Sequence, residues 1–219
     1  MIGSKHSQQR SKDVLLALKA SSTYVNSLGR LQLQKLIYLF DILAIAWREV
    51  EGSNTFSPWS HGPYDQTIQN AVDSLAFRGF VGIDTLSFAG SKKAQSSYSL
   101  TSAGEAAADT LSSVDAFKDD LNLFYEISTE VNRRGWSNIK NIVYSEPTYN
   151  TARATKQGVS LSVNSQYNLS WKLIKQIRDG FEVHRDKPMS KRTLIQVFFA
   201  TLDEYDMSSD SDLAAKFDK

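Results

Sequence analysis

The 219-residue sequence contains no cysteine, which excludes disulfide bonds, thiolate metal sites and cysteine nucleophiles. It has only three histidines, and no two of them have the i, i+4 spacing of a metal-binding helix. A Gly-rich phosphate loop, an HExxH motif and a GxSxG nucleophile elbow are also absent. We therefore expect no metal and no cofactor, and the pattern favours a binding protein over an enzyme.

The chain also lacks an excess of charge of either sign, since its formal net charge is +1. A charge this close to zero provides no bulk attraction to nucleic acid or to anionic lipid. The charge is unevenly spread, because residues 201–219 hold six acidic and two basic residues. We expect this acidic C-terminal tail to be solvated. A tether to a basic partner, or a mimic of nucleic acid, is the alternative.

Long hydrophobic runs are missing as well. The most apolar run, residues 36–47, is short and contains Asp41. Because a bilayer span needs about 20 apolar residues, this run predicts a buried core helix. Residues 1–12 are polar and basic and do not resemble a signal peptide. We therefore expect a soluble, cytoplasmic protein that does not associate with membranes.

Hydrophobic spacing predicts a mostly α fold, whose first domain (residues 1–113) is winged-helix-like with one small β-hairpin. Three helices are expected before the hairpin, at residues 13–20 with Ser11 as the cap, 31–50, and 63–78 with Pro63 in the first turn. The expected strands are residues 80–87 and 96–100, and Thr101 caps the helix that follows.

Residues 114–219 are predicted to form a helical extension that ends in the acidic tail and packs against the first domain. Its first helix has an apolar face made by Phe117, Leu121, Phe124, Ile127 and Val131. A long irregular stretch is expected at residues 145–168, and loops of this length tend to be functional or disordered.

Four segments occur in a recognisable order: Leu33–Leu39 (LQKLIYL), Trp59–Tyr64 (WSHGPY), Leu75–Val81 and Tyr98–Gly104 (YSLTSAG). Together they resemble the YwgA-like proteins and, more distantly, the SocA-like antitoxin domain called Panacea. The resemblance covers about residues 28–112. It implies a winged-helix-like core and a role in a bacterial toxin–antitoxin or anti-phage defence system. It implies no catalytic residue.

Two groups of residues are candidates for contact with nucleic acid. The third helix and the hairpin tip offer the first group: Gln66, Gln69, Asn70, Lys92 and Lys93. Asp65 and Asp73, expected on the same outward face, would oppose phosphates. The second group combines cations with aromatic residues such as Trp136 and Tyr149, as in single-strand binding: Arg133, Arg134, Lys140, Arg153 and Lys156. Solvated helix ends and an ordinary surface loop explain the second group equally well.

The turn at Trp59–Tyr64 is assigned a structural role, carried by Trp59, His61, Gly62, Pro63 and Tyr64. His61 is a candidate general acid or base, but capping of the helix or packing beside Trp59 is favoured. Glu126 and Glu130 have the i, i+4 spacing of paired carboxylates. On an amphipathic helix we expect them to face solvent.

These patterns predict a regulatory protein that binds a partner protein, either a toxin or a defence-system subunit, through the winged-helix-like scaffold. The alternative is a DNA-binding transcriptional regulator that uses residues 64–78 and the two lysines of the hairpin tip. A nucleic-acid-processing enzyme that uses residues 149–153 comes third.

Overall fold

The computed structural model describes residues 2–48, 56–59, 61–86, 95–155, 161, 168–184 and 189–207. The helices in these ranges are α1 (Ile2–Ser21), α2 (Arg30–Arg48), α3 (Gln66–Phe77), α4 (Ser102–Ser112), α5 (Asp115–Arg134), α6 (Ile139–Tyr144), α7 (Pro147–Thr155), α8 (Leu169–His184) and α9 (Lys191–Met207), with a 3-10 turn at Trp136–Asn138. The strands are β1 (Leu28–Gly29), β2 (Ser57–Trp59), β3 (Gly62–Tyr64), β4 (Val81–Leu86) and β5 (Gln95–Leu100).

The prediction of a mostly α fold with a small hairpin is confirmed. Strand β5 lies between β1 and β4 in an antiparallel sheet, with Leu28 opposite Tyr98 and Val81 opposite Leu100. Helices α1, α2 and α3 precede the β4–β5 hairpin, which gives the winged-helix-like order. The apolar positions of α3 are buried at the predicted helical spacing: Ile68, Ala71, Val72 and Leu75.

The predicted start of the first helix, with Ser11 as its cap, is wrong, because α1 begins at Ile2. The reason lies in tertiary contacts of Arg10. Arg10 is fully buried, and its guanidinium donates to three carboxylates, those of Asp13, Asp41 and Asp65. A local pattern cannot reveal this, since Asp41 and Asp65 lie in other parts of the chain. Partners supplied by later elements thus hold the polar side chain of Arg10 inside the core.

The predicted third helix also needs correction, since Pro63 lies in β3 and α3 starts at Gln66. Asp65 is the N-cap, and its carboxylate accepts from the Thr67 amide at 2.8 Å. Asp65 is only 2% exposed, so the expectation that it faces outward is wrong. Its bond to Arg10 Nε, at 2.9 Å, fixes it inside the molecule.

The predicted irregular stretch at residues 145–168 contains α7, which sequence reasoning missed. The buried Glu146 carboxylate accepts from the amides of Thr148 and Tyr149, at 3.0 and 2.7 Å. Pro147 takes the first helical position, where its missing N–H costs nothing. Glu146 and Pro147 therefore start a helix inside the stretch predicted to be irregular.

The two halves of the chain share one hydrophobic core. The rings of Phe40 in α2 and Phe124 in α5 stack 4.0 Å apart at an interplanar angle of 5°. Lys12 in α1 donates to Asp120 in α5 at 2.7 Å, and both residues are buried. The predicted domain boundary lies between α4 and α5, and the core continues across it. No helix within the described ranges is both long enough and apolar enough to cross a membrane.

Candidate nucleic-acid interface

Trp59 and Gly62–Tyr64 belong to a short β2–β3 hairpin rather than to a simple turn. Ser57 pairs with Tyr64, and Trp59 pairs with Gly62. The rings of Trp59 and Tyr64 stack with centroids 5.0 Å apart, while 56% of Trp59 remains exposed. Gly62 has a φ of 114°, a conformation that favours glycine. The hairpin therefore carries a ring that is supported from below and open to solvent.

Three polar residues of α2, all within the LQKLIYL motif, hold the hairpin and its neighbours in place. The Gln34 amide bridges the main chain of Asp65, accepting from its N–H at 3.0 Å and donating to its carbonyl at 2.9 Å. Lys35 Nζ donates to the His61 carbonyl at 2.7 Å. Tyr38 donates to Glu146 at 2.6 Å. The motif thus positions the hairpin, the start of α3 and the start of α7 together.

Lys35 is a buried lysine directly beneath the hairpin, with 1% of its surface exposed. Burial lowers its pKa to about 8, and the positive charge of Lys140 contributes. A Cβ added to Gly62 would lie 2.8 Å from Lys35 Nζ, too close without movement. The glycine therefore allows the lysine to reach the hairpin backbone. In the described residues, no acid forms a salt bridge with Lys35.

Two tyrosines, Tyr144 and the buried Tyr149, connect the hairpin to α6 and α7. Tyr149 donates its hydroxyl proton to the Trp59 carbonyl at 2.7 Å, and burial raises the pKa of Tyr149 to about 12. Its ring lies 5.3 Å from that of Tyr144, which in turn would be 3.7 Å from a Cβ on Gly62. Helices α6 and α7 thereby contact the hairpin through aromatic side chains.

Three exposed cations lie over these aromatic rings. The Arg30 guanidinium is 5.4 Å from the centroid of Tyr64 and donates to its hydroxyl at 2.6 Å. Lys140 and Arg153 both lie over Tyr144, at 5.1 and 4.9 Å from its centroid. We define the basic-aromatic surface by these cations and the rings beside them: Arg30, Trp59, Tyr64, Lys140, Tyr144 and Arg153.

The charge of this surface is not neutralised by the carboxylates that the structure describes. None of the cations Arg30, Lys140 and Arg153 forms a salt bridge with a described acid. Cation–π contact orders each side chain without removing its charge or most of its donors. The surface therefore combines unneutralised positive charge with exposed aromatic area, as nucleic-acid-binding surfaces do.

Two of the predicted base-reading residues border the basic-aromatic surface. Gln66 accepts from the Tyr64 hydroxyl at 2.9 Å and donates to Asn70 at 3.0 Å. Gln69 lies elsewhere on α3, where it donates to Asp73 at 2.8 Å and accepts from the Tyr98 hydroxyl at 3.2 Å. The structure thus joins Gln66 and Asn70 to the hairpin, and Gln69 to the sheet.

Arg133 and Arg134 serve a different purpose, because both are ion-paired at the end of α5. Arg133 and Arg134 both donate to Glu130, and Arg134 also binds Asp203 at 2.6 Å. These contacts join α5 to α9. Glu130 is 3% exposed, so the expectation that it faces solvent is wrong.

Trp136 is 7% exposed and cannot offer its ring for stacking. Lys92, Lys93 and Lys156 lie outside the described residues.

The structural role of His61 is carried by its main-chain carbonyl, which accepts from Lys35, while the residue itself is exposed. Across the described ranges, no group of three His, Asp or Glu residues is placed to hold a metal ion.

The sequence did not reveal Arg30, Lys35 and Tyr144 as residues that form or support the basic-aromatic surface. The spacing of Lys140 and Tyr144 at i, i+4 is the one signal that could have indicated the cation–π pair.

No known family model matches the chain, and a comparison with curated proteins gives no match either. The resemblance to the YwgA-like and Panacea proteins stays a prediction.

Proposed function

We propose that this protein is a nucleic-acid-binding regulator and that it binds through the basic-aromatic surface. The single observation that carries this proposal is the set of three exposed cations, each over a tyrosine ring, around one hairpin. The sequence predicts a protein-binding function first and a DNA-binding regulator second, through residues 64–78 and the two lysines of the hairpin tip. The arrangement of Arg30, Lys140 and Arg153 raises nucleic-acid binding to first and assigns it to a different surface.

Contact with the tyrosine rings preorganises the cations of the surface for binding. A flexible Arg or Lys loses about 1.5–2 kcal/mol of rotamer entropy when it is fixed on a ligand. Contact with Tyr64 or Tyr144 fixes part of that freedom before binding, so less is lost when a phosphate arrives. The released counterions then supply a favourable, salt-dependent term.

The biological setting belongs to the same proposal. The ordered motifs support a role in a bacterial toxin–antitoxin or anti-phage defence system, in which a cytoplasmic regulator would bind nucleic acid. The LQKLIYL motif contributes directly, since Gln34, Lys35 and Tyr38 hold the elements that carry the basic-aromatic surface.

The test is fluorescence anisotropy with labelled single-stranded and duplex DNA at low salt. The triple variant Arg30→Gln/Lys140→Gln/Arg153→Gln should lose at least about tenfold in affinity, because it removes three phosphate contacts. Its matched control is Lys118→Gln/Lys175→Gln/Arg192→Gln, which removes the same charge from exposed positions on α5, α8 and α9. The control should bind like the wild type.

Two results would contradict the proposal. The first is equal loss in both triple variants, which would mean that only net charge matters. The second is absence of nucleic-acid binding together with tight binding of polyglutamate, which would assign the surface to an acidic protein.

A protein that binds a toxin or a defence-system subunit is the second candidate. Phe77 at the end of α3 is 93% exposed, and Ile83 in β4 is 45% exposed. Aromatic residues are enriched in protein interfaces. Co-expression with the neighbouring gene products tests this function: a complex that Phe77→Ala disrupts supports it, and purification of the protein alone counts against it.

A further inference from the structure

We propose that the ligand of the basic-aromatic surface is a single strand of DNA or RNA, whose bases stack on Trp59. The inference rests on the proposed function and deepens it by naming the form of nucleic acid. The observation behind it is the geometry of the hairpin, which presents an exposed indole stacked on Tyr64. Arg30 of α2 lies over Tyr64, and Lys140 of α6 and Arg153 of α7 lie over Tyr144.

Trp59 has the properties of a stacking platform. One face of its ring rests on Tyr64, at an angle of 25°, and more than half of the residue is exposed. Its main-chain carbonyl is held by the Tyr149 hydroxyl, so the platform is fixed to α7. An unpaired base can stack on such a ring, whereas a base inside a duplex is already stacked on its neighbours.

The cations are distributed in a way that suits a strand passing over the hairpin. Arg30 lies over Tyr64, while Lys140 and Arg153 lie over Tyr144 on the other helices. Gly62 connects the two groups, since it pairs with Trp59 and approaches Tyr144. Phosphates on either side of a stacked base would therefore meet positive charge.

The exposed face of α3 disfavours duplex recognition through that helix. From Gln66 to Phe77 it contains no Lys or Arg, and it exposes the carboxylate-bearing Asp73 and the apolar Phe77. A recognition helix in a major groove needs donors near the phosphates that line it. The amides of Gln66 and Asn70 bond to each other instead.

The experiment compares labelled probes of about 12 nucleotides: oligothymidine, oligouridine and a mixed-sequence duplex. Wild-type protein should bind both single strands at least about tenfold more tightly than the duplex. Trp59→Ala should weaken single-strand binding about tenfold, in line with the loss of one stacked base. Trp59→Phe should retain most of the affinity because it keeps a ring. Phe77→Ala, which removes another exposed aromatic residue, should bind like the wild type.

The outcomes separate this inference from the proposed function. Duplex binding that equals or exceeds single-strand binding, and that still needs Arg30, Lys140 and Arg153, overturns the inference and supports the proposed function. Unchanged affinity in Trp59→Ala also overturns the inference. Failure to bind any of the three probes overturns both. Quenching of Trp59 fluorescence by oligothymidine, absent in Trp59→Phe, supports stacking directly.

Discussion

Lys35 Nζ donates a hydrogen bond to the main-chain carbonyl of His61, at 2.7 Å. This bond joins two sequence motifs, LQKLIYL and WSHGPY, that lie in separate elements. Gln34 and Tyr38 make similar links to the start of α3 and to α7. Since the three bonds fix the elements under the basic-aromatic surface, the LQKLIYL motif supports that surface, while the WSHGPY motif supplies two of its rings, Trp59 and Tyr64.

Lys35 should make stability rise with pH in alkaline solution. Burial lowers its folded-state pKa to about 8, whereas an ordinary lysine has a value of 10.5. Between these pH values the unfolded state binds more protons, so raising the pH favours the folded state through this group. We expect the free energy of unfolding of the wild type, measured with urea, to increase relative to that of Lys35→Met between pH 7.5 and pH 10. The exposed Lys118→Met should show no such trend. Parallel curves for wild type and Lys35→Met would contradict this account.

Arg10 should be among the residues most costly to replace. Its guanidinium compensates the buried carboxylates of Asp13, Asp41 and Asp65, and removal of one partner from a buried ion pair costs about 3–5 kcal/mol. We expect Arg10→Met to lose about this much free energy of unfolding at pH 7. Arg133→Met is the control, because Arg133 is 60% exposed. It should lose about 0–1 kcal/mol.

The loss of stability caused by Arg10→Met should also be smaller at acidic pH. Burial raises the pKa of Asp41 to about 6 and raises that of Asp13, even though Arg10 opposes both shifts. Without Arg10 these folded-state pKa values rise further, so the folded variant takes up more protons than the wild type as the pH falls. We expect the stability difference to be smaller at pH 4.5 than at pH 7. A difference that stays constant or grows would be inconsistent with buried, unpaired carboxylates.

Gly104, in the YSLTSAG motif, should tolerate no side chain. A Cβ at this position would lie 2.0 Å from the carbonyl oxygen of Phe80, so the start of α4 would have to move away from β4. We expect Gly104→Ala to lose about 3 kcal/mol or more. Gly180 in α8 is the matched control, since its Cβ would meet nothing within 4 Å. Gly180→Ala should gain about 0.4–1 kcal/mol. Thermal unfolding of both variants tests the pair, and similar Tm changes would refute the steric explanation.

The sequence supports the fold prediction well because hydrophobic spacing is a local property. The buried stripe of α3 and the β4–β5 hairpin were predictable for that reason. The start of α1 and the whole of α7 were not. They depend on Arg10, whose partner Asp41 lies 31 residues away, and on Glu146, which meets Tyr38 across 108 residues.

The candidate site was predictable only in part. Trp59, Tyr64, Gln66 and Arg153 were named from local motifs, and the structure places them on or beside one surface. Tyr144 was missed because its importance comes from contacts with other elements. Arg134 was predicted to contact nucleic acid because it lies near Trp136 in the sequence. In the structure it is paired with Glu130 and Asp203 instead. Charge and aromaticity are visible in a sequence, but pairing is not.

The most direct test of the central claim is the salt dependence of single-strand binding. Each phosphate contact contributes about 0.7 to the slope of log affinity against log salt concentration. If Arg30, Lys140 and Arg153 each contact a phosphate, the variant that replaces all three with glutamine should have a slope reduced by about 2. The variant that replaces Lys118, Lys175 and Arg192 should keep the wild-type slope. Equal slopes in the wild type and the Arg30/Lys140/Arg153 variant would contradict the assignment of this surface to nucleic acid.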